Sequence, residues 1–183
     1  MLTRRQLLGA GGSAVLLASC GDEEHGGASK TDLAARDLRL LGSGLDLEHT
    51  LLAAYSAGGR HLRGRALRHS QAIAAQEREH AARLTEAIGR RGGKPNPPKT
   101  PEEYARAFPA LRDAEDALRF GVDLENAAIR FYHEAMPKLS ESPLRLLAAA
   151  IATSEAEHAA VLRGDLGRPQ APDAFVTGRT QPG

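Results

Sequence analysis

The chain has 183 residues, 42% of them hydrophobic and 26% charged, and a formal net charge of +1. Such a length predicts one globular domain with a sizeable core, and the lack of a basic stripe or an aromatic reading pattern argues against a nucleic-acid-binding protein. Cys20 is the only cysteine, which excludes an intramolecular disulfide and a thiolate zinc cluster.

The N-terminal segment has the layout of an export signal. Arg4 and Arg5 precede an apolar run over residues 7–19, as in twin-arginine signals, and the run is too short to cross a bilayer. It ends in LASC, which resembles the lipobox of bacterial lipoproteins. We therefore expect residues 1–19 to be removed and Cys20 to be lipidated, so that the exported protein is anchored on the extracytoplasmic, periplasmic face of the membrane. The alternative is an ordinary cleaved signal with an incidental cysteine.

The next segment, residues 20–32, is polar and Gly-rich and is expected to be a flexible tether. A first helix is predicted from about residue 33 to residue 57, where Gly58 and Gly59 end it. Its apolar stripe recurs at alternating steps of three and four, the spacing of one buried helix face. The stripe consists of Leu38, Leu41, Leu45, Glu48, Leu52 and Tyr55.

A second helix of the same period is predicted before Gly92 and Gly93, and it should form an antiparallel hairpin with the first. Its stripe consists of Leu67, Ala74, Glu77, Ala81, Leu84 and Ile88. A Pro-rich link then extends to about Pro109. Within it, Thr100, Pro101 and Glu103 have the pattern of an N-cap, a first-turn proline and a capping-box glutamate, which predicts one short helix.

Two further helices follow the link. The stripe of the third comprises Leu111, Ala114, Leu118, Gly121, Glu125, Ala128 and Tyr132, and that of the fourth comprises Ile151, Glu155, His158 and Leu162. Ser142 and Pro143 are expected to cap the fourth helix. The bundle is thus assigned to residues 33–165 and an irregular tail to residues 166–183. Short, long and short connections are typical of an all-α, ferritin-like four-helix bundle with a long crossover between helices two and three.

The chain also contains an internal repeat of one helical hairpin. LDLEHTLLAAY at residues 45–55 matches VDLENAAIRFY at residues 122–132, and QEREHAARL at residues 76–84 matches SEAEHAAVL at residues 154–162. The offsets are 77 and 78 residues. One hairpin has therefore been used twice, which predicts a two-fold symmetric bundle.

Four glutamates occupy stripe positions that otherwise demand apolar residues: Glu48, Glu77, Glu125 and Glu155. A buried carboxylate costs several kcal/mol unless it is paired or binds a metal. Two divalent cations would balance four carboxylates, and neutral imidazoles complete such a shell without adding charge. The buried glutamates therefore predict a dinuclear metal site.

The histidines that complete this site are His80 and His158, each three residues after a stripe glutamate. Residues three apart on a helix differ by about 60° in direction and about 4.5 Å in rise, so each pair faces one point. One glutamate from each of two helices and a Glu-x-x-His pair from each of the other two is a known dinuclear ligand set. The alternative is that the four glutamates are surface carboxylates paired with arginines such as Arg78 or Arg83. That alternative does not explain why all four apolar stripes are interrupted by a charged residue at the same level of the bundle.

Residues 33–162 resemble the ferritin-like superfamily, especially its symmetric members such as bacterioferritin, rubrerythrin and manganese catalase. The resemblance implies that the glutamates of the two Glu-x-x-His pairs bridge the metals, while Glu48 and Glu125 bind terminally. It implies two metal ions, with iron favoured over manganese although the ligands suit both. Haem is not implied, because Arg78 stands where a bacterioferritin-type methionine would be. A rubrerythrin-type additional glutamate is replaced by Ala128.

Residues beside the ligands carry weaker predictions. Metal-bound histidines normally donate their second nitrogen to an acceptor, and Gln76 and Ser154 are the candidates here. Tyr55 and Tyr132 follow Glu48 and Glu125 by seven residues, about 20° off the same line. Either they hydrogen-bond a ligating carboxylate or act as redox relays, or they only fill the core.

These features predict an extracytoplasmic, lipid-anchored oxidoreductase whose metals react with dioxygen, peroxide or ferrous ions. Whether it is an enzyme is left open by the fold, which hosts oxidases, peroxidases, catalases and stores. The alternatives are non-catalytic metal sequestration and a helical interaction module that retains the site for stability. A homodimer is compatible with each of these functions.

Overall fold

The computed structural model describes residues 29–179. The predicted signal peptide (residues 1–19), the lipidated Cys20 and the tether up to residue 28 lie outside the described residues. The described chain forms five helices and no strand, which confirms the all-α prediction. They are α1 (Lys30–Gly59), α2 (Gly64–Gly89), α3 (Pro101–Ala107), α4 (Ala114–Ala135) and α5 (Ser142–Asp165), with a 3₁₀ turn at Met136–Lys138.

The four long helices form a bundle of two hairpins, α1 with α2 and α4 with α5. Across the bundle, α1 packs on α4 and α2 packs on α5. Tyr55 contacts Glu125 while Tyr132 contacts Glu48, so α1 and α4 run antiparallel. Because α1 and α2 are also antiparallel, α2 and α4 are parallel, and the link between them must traverse the length of the bundle.

This crossover, residues 90–113, contains α3 and lies against α1. The Thr100 hydroxyl accepts a hydrogen bond from the amide of Glu103, and the Glu103 carboxylate accepts one from the amide of Thr100. The predicted short helix with its capping box is therefore confirmed. At the start of the crossover, Gly93 is needed because a Cβ there would lie 2.6 Å from Leu38 and 2.8 Å from Ile88.

Helix boundaries differ from the sequence expectation at four places. The first helix ends two residues later than expected, because Gly58 and Gly59 are themselves helical and Arg60 is the C-cap. The first helix begins at Lys30 because Ser29 and Asp32 form a capping box at its start. The third long helix begins at Ala114, capped by Asp113 rather than continuing from Leu111. In α5, Ser142 is the first helical residue, and the N-cap position is taken by Glu141 without a side-chain cap bond.

The core lies along the bundle axis, above and below the level of the four glutamates. Leu45, Leu51, Ile129, Ile151 and Leu162 are among its fully buried apolar side chains. Within residues 29–179, no helix combines the length and the apolar character that crossing a bilayer requires.

Candidate metal centre

The four stripe glutamates meet at the centre of the bundle, one from each long helix. Glu48, Glu77, Glu125 and Glu155 are each 0% exposed. Each sits on a helix face whose neighbouring turns are apolar, so the packing of those turns holds the carboxylates in the interior. Without compensation, four carboxylates in so small a dry volume would be strongly destabilising.

Two histidines enter the same cluster with their ring nitrogens toward the carboxylates. The Nδ1 atom of His80 lies 3.0 Å from Glu77 and 3.2 Å from Glu155. The Nδ1 atom of His158 lies 2.9 Å from Glu77 and 3.1 Å from Glu155. Both glutamates of the Glu-x-x-His pairs therefore lie between the two imidazoles.

The other two glutamates are each associated with one histidine. Glu48 lies 3.5 Å from the Nδ1 atom of His80, and Glu125 lies 3.7 Å from the Nδ1 atom of His158. Ligand atoms within 4.8 Å of one another form two quartets, both of which include Glu77 and Glu155. Each quartet could hold one cation, in which case Glu77 and Glu155 are shared by the two positions and Glu48 and Glu125 are unshared.

The donor set fits a pair of divalent cations. One oxygen of each glutamate is buried and faces the Nδ1 atom of a histidine at 2.9 to 3.7 Å without the geometry of a hydrogen bond, namely Glu48 Oε2, Glu77 Oε1, Glu125 Oε2 and Glu155 Oε1. A buried carboxylate oxygen without a donor is costly, and a cation is the partner that satisfies several such oxygens at once. Nitrogen and oxygen ligands of this kind suit iron and manganese alike.

Without metal, protons take over part of the charge compensation. Burial raises the pKa of Glu48 and Glu125 well above the usual range of a carboxyl group. Burial would lower the pKa of the histidines, but hydrogen bonds to the surrounding glutamates outweigh it and raise the pKa to about 12 for His80 and about 11 for His158. In the metal-free cluster, the two imidazolium groups thus supply the positive charge beside the shared carboxylates.

The pKa values of the shared glutamates, Glu77 and Glu155, shift in the opposite direction. Burial would raise the pKa of Glu155, but hydrogen bonds from His158 and His80 lower it to about 2. The pKa of Glu77 is lowered for the same reason. The cluster therefore separates into two ionised carboxylates beside two imidazolium rings and two carboxyl groups that favour the neutral form.

Tyr55 and Tyr132 donate hydrogen bonds to the unshared glutamates, but across the bundle rather than along it. The Tyr55 hydroxyl donates to Glu125, and the Tyr132 hydroxyl donates to Glu48. Burial and the adjacent carboxylates raise the pKa of both phenols well above their usual value, so they remain donors. Each hairpin therefore orients the unshared glutamate of the other.

This exchange between hairpins was not part of the sequence prediction, which placed the tyrosines near the glutamates of their own helices. The repeat itself carries a signal for it. In an antiparallel pair of helices whose register brings one tyrosine to the level of the other helix's glutamate, the equal Glu-to-Tyr spacing of seven residues brings the second tyrosine and glutamate to one level as well.

The environment of the histidines is less symmetric than the ligand set. The Nε2 atom of His158 lies 3.1 Å from the side-chain oxygen of Gln76, which serves as its acceptor. Ser154, the repeat-related residue, makes no hydrogen bond to His80 in the described chain. The side chain of His80 is 12% exposed, against 4% for His158. Only one of the two expected outer acceptors therefore contacts its histidine.

Known proteins share the sequence pattern of this bundle. The family described as Ferritin-like domain matches residues 36–168. No match was found among curated proteins.

Solved structures with a similar fold are also known. A conserved hypothetical protein from Mycobacterium tuberculosis has a TM-score of 0.65 at 16% identity, covering 72% of this chain and 97% of the other. A dodecameric thioferritin from Bacteroides fragilis, described as bacterioferritin-related, has a TM-score of 0.61 at 22% identity, with coverages of 74% and 86%. A Dps mutant from Listeria innocua has a TM-score of 0.62 at 13% identity, with coverages of 73% and 95%.

Proposed function

Because the chain belongs to the ferritin-like family, we propose that it is a dinuclear metal–carboxylate protein with redox activity toward dioxygen, peroxide or ferrous ions. The observation that carries this proposal is the set of four fully buried glutamates, each with one oxygen that lacks a hydrogen bond. Two divalent cations, iron rather than manganese, are the proposed cofactor. When bound, such a pair supplies electron exchange with small oxidants.

The chain's own residues have distinct proposed roles. Glu77 and Glu155, which lie between the two imidazoles, are assigned as the shared ligands. Glu48 with His80 and Glu125 with His158 complete one cation position each. Tyr55 and Tyr132 are positioning residues in this scheme, because their hydroxyl groups fix the orientation of the unshared carboxylates. A redox-relay role is the second candidate for them, and their phenylalanine variants test it.

The burial of the cluster limits its substrates to small molecules. All four glutamates are 0% exposed, and the most exposed ligand side chain, that of His80, is 12% exposed. Dioxygen, peroxide and a hydrated metal ion that sheds its water are small enough to reach such a site through side-chain fluctuations. A substrate with an extended body is not compatible with this packing.

The activity is tested by loading the chain with ferrous ion without oxygen and then mixing it with dioxygen or peroxide. We expect rapid formation of ferric absorbance in the wild type. The double variant Glu77→Gln with Glu155→Gln should lose this reaction, because both shared ligands lose their charge. Glu79→Gln is the matched control, since Glu79 is exposed on the same helix and pairs with Arg83. Equal rates in the double variant and the wild type would contradict the proposal.

The proposed location is the extracytoplasmic face of the membrane, with Cys20 as the lipid anchor. This proposal derives from Arg4, Arg5 and the LASC sequence before the bundle. Mass spectrometry of the mature chain should find a lipidated N-terminal cysteine. Replacing both arginines by lysine should retain the precursor in the cytoplasm, and Cys20→Ser should release the mature protein from the membrane. A mature chain that begins elsewhere would refute the anchor.

Metal sequestration without turnover is the second candidate function. It is favoured by the fold similarity to proteins described as a dodecameric thioferritin and as Dps. A storage role predicts a large closed assembly in solution, whereas a lipid-anchored redox protein predicts a monomer or homodimer. Light scattering of the mature chain after removal of the lipid distinguishes the two.

A further inference from the structure

A groove of about 1000 Å³ lies on the outside of the bundle, between α1 and the crossover. Its α1 wall is one continuous helix face, with residues at successive steps of three and four from His49 through Ala53 to Arg60. The facing wall comes from α3 and the residues around it, including Tyr104 and Phe108. The groove is separate from the carboxylate cluster, whose glutamates are not among its lining residues.

The crossover wall is held in place by its own contacts. Phe108 stacks on Tyr104 with ring centroids 5.7 Å apart and meets Phe120 edge-on at 5.0 Å. The amide of Lys99 donates to the Tyr104 hydroxyl over 3.3 Å. Together with the capping box of α3, these contacts make the groove a preformed site, the usual property of small-molecule pockets of this size and largely apolar lining.

The charged groups that line the groove are positive. Arg60 and Lys99 line it, no carboxylate does, and neither cation forms an ion pair within the described chain. The Nε atom of Arg60 donates to the backbone carbonyl of Ala57 over 2.9 Å, which ties the base of its guanidinium group to the α1 wall. The Nδ1 atom of His49 is also buried and makes no hydrogen bond with a described residue.

The internal repeat provides a comparison for this face. Asn126 and Arg130 on α4 correspond to His49 and Ala53 on α1, 77 residues earlier in both cases. On α4 the chain covers these positions itself, because Arg130 donates to the carbonyl of Gly178 in the C-terminal tail over 2.5 Å, and Gly178 packs against the backbone of Asn126. On α1 the equivalent positions border an open groove.

We propose that this groove binds a fatty-acid-type ligand, an unbranched apolar chain that ends in one carboxylate. The chain lies against Leu52, Ala53 and Phe108, and the carboxylate pairs with the cationic rim of Arg60 and Lys99. An apolar body matches the lining, and a single anionic end matches the two cations of the rim, since no carboxylate lines the groove. The inference does not depend on the metal centre.

The test is calorimetric titration of the full-length chain with decanoate below its micellar concentration. We expect one saturable site per chain. Arg60→Gln should weaken binding about tenfold, the effect of losing one charge-assisted hydrogen bond, and decanol should bind at least about tenfold more weakly than decanoate. Arg119→Gln is the matched control, because Arg119 pairs with Glu115 away from the groove.

Filling the groove is the second arm of the test. Ala53→Trp should abolish decanoate binding, and Ala105→Trp on the facing, exposed wall should do the same if the first variant fails to fold by circular dichroism. Absence of saturable binding, or binding unaffected by these tryptophans, overturns the proposal, and equal binding of decanol overturns its anionic part. If decanoate has no effect while Ala53→Trp converts a dimer to a monomer, the proposal is overturned and a second copy of the chain fills the groove instead.

Discussion

At the scale of single residues, the centre of the bundle contains negative charges that must be compensated. Four carboxylates lie in a volume from which water is excluded, and only protons or cations can balance them. Without metal, the raised pKa values of His80 and His158 show that the two imidazoles hold protons well above neutral pH. Because metal ligands must be deprotonated, protons and metal compete for this cluster.

This competition predicts how stability depends on pH. An unfolded histidine has a pKa of about 6.5, whereas the folded values are about 12 for His80 and about 11 for His158. Between these limits the folded, metal-free chain binds more protons than the unfolded chain, so its stability falls as pH rises. We expect the free energy of unfolding in chelator to decrease from pH 6.5 upward, by at most about 1.4 kcal/mol per pH unit for each histidine.

Urea denaturation at several pH values, with and without metal, measures this effect. Metal affinity has the opposite pH dependence and should increase as the imidazoles lose their protons. The loaded chain should therefore lose little stability over the same range. Stability of the metal-free chain that rises between about pH 6.5 and pH 9 would contradict the account of the cluster.

The six candidate ligand residues could be predicted from the sequence, because a charged residue at a core position of a helical stripe is energetically unfavourable unless it has a partner. Glu48 and Glu125 were found in this way, as was each Glu-x-x-His pair. The sequence did not predict that Gln76 bonds His158 while Ser154 makes no bond to His80 in the described chain. A rotation of a few degrees at a helix surface decides such contacts. Whether the ligands bind metal stays a prediction.

At the scale of helices, the close approach of α1 and α4 positions the two tyrosines. Gly44 and Gly121 are related by the repeat, each four residues before an unshared glutamate. A Cβ at Gly44 on α1 would lie 3.2 Å from the hydroxyl of Tyr132 on α4, whereas a Cβ at Gly121 on α4 would lie 3.0 Å from Leu162 on α5. The small residue at position 44 thus lets α1 and α4 approach closely enough for the exchanged hydrogen bonds, and the one at position 121 serves the packing of α4 on α5.

Gly44→Ala should therefore destabilise the protein by about 1–2 kcal/mol, the cost of overpacking a buried contact. The Tyr132 ring is buried and held by Glu48, so it cannot move away. Gly42→Ala in the same helix is the control, because a Cβ there meets only Asn96 at 3.6 Å. Helix propensity alone should stabilise that variant by about 0.5–1 kcal/mol. The stabilities of both variants are measured by thermal unfolding and compared with that of the wild type. Stabilisation by Gly44→Ala would refute the close-packing argument.

The unequal outer contacts of α2 and α5 predict that the two cation positions differ in affinity. The position that includes His158 should fill first, because Gln76 orients that imidazole. Gln76→Ala should weaken the tighter binding step by about tenfold or more, while Ser154→Gln should tighten the weaker step. Gln71→Ala, an exposed glutamine on α2, should change neither.

Calorimetric titration with manganous ion resolves the two steps without redox chemistry. Two equal steps in the wild type, or a Gln76→Ala variant with unchanged affinities, would show that the outer hydrogen bond has no role. A complete lack of binding would instead contradict the proposed function.

The order and type of the helices could be predicted because each stripe is long and strictly periodic. The ends of the helices were harder to predict. The first helix starts at Lys30 since Ser29 and Asp32 cap it within a stretch whose composition otherwise indicates a tether. The contact of Gly178 with α4 depends on backbone packing that no local pattern encodes.

At the scale of the whole molecule, a duplicated hairpin builds a site that neither half can form alone. Each proposed cation position takes residues from both hairpins, because Glu77 and Glu155 are shared. A bound metal pair therefore joins the two halves and should raise global stability, by about 2.7 kcal/mol when free metal is about a hundredfold above its dissociation constant. The crossover and the C-terminal tail enclose this core from outside.

The most direct test of the central claim is the metal content of the mature protein, purified from its own cell envelope without added metal and measured by elemental analysis. The account predicts two metal ions per chain, mainly iron, and a double variant Glu77→Gln with Glu155→Gln that remains folded but carries none. A native protein that is free of metal and gains no stability when metal is added would contradict it.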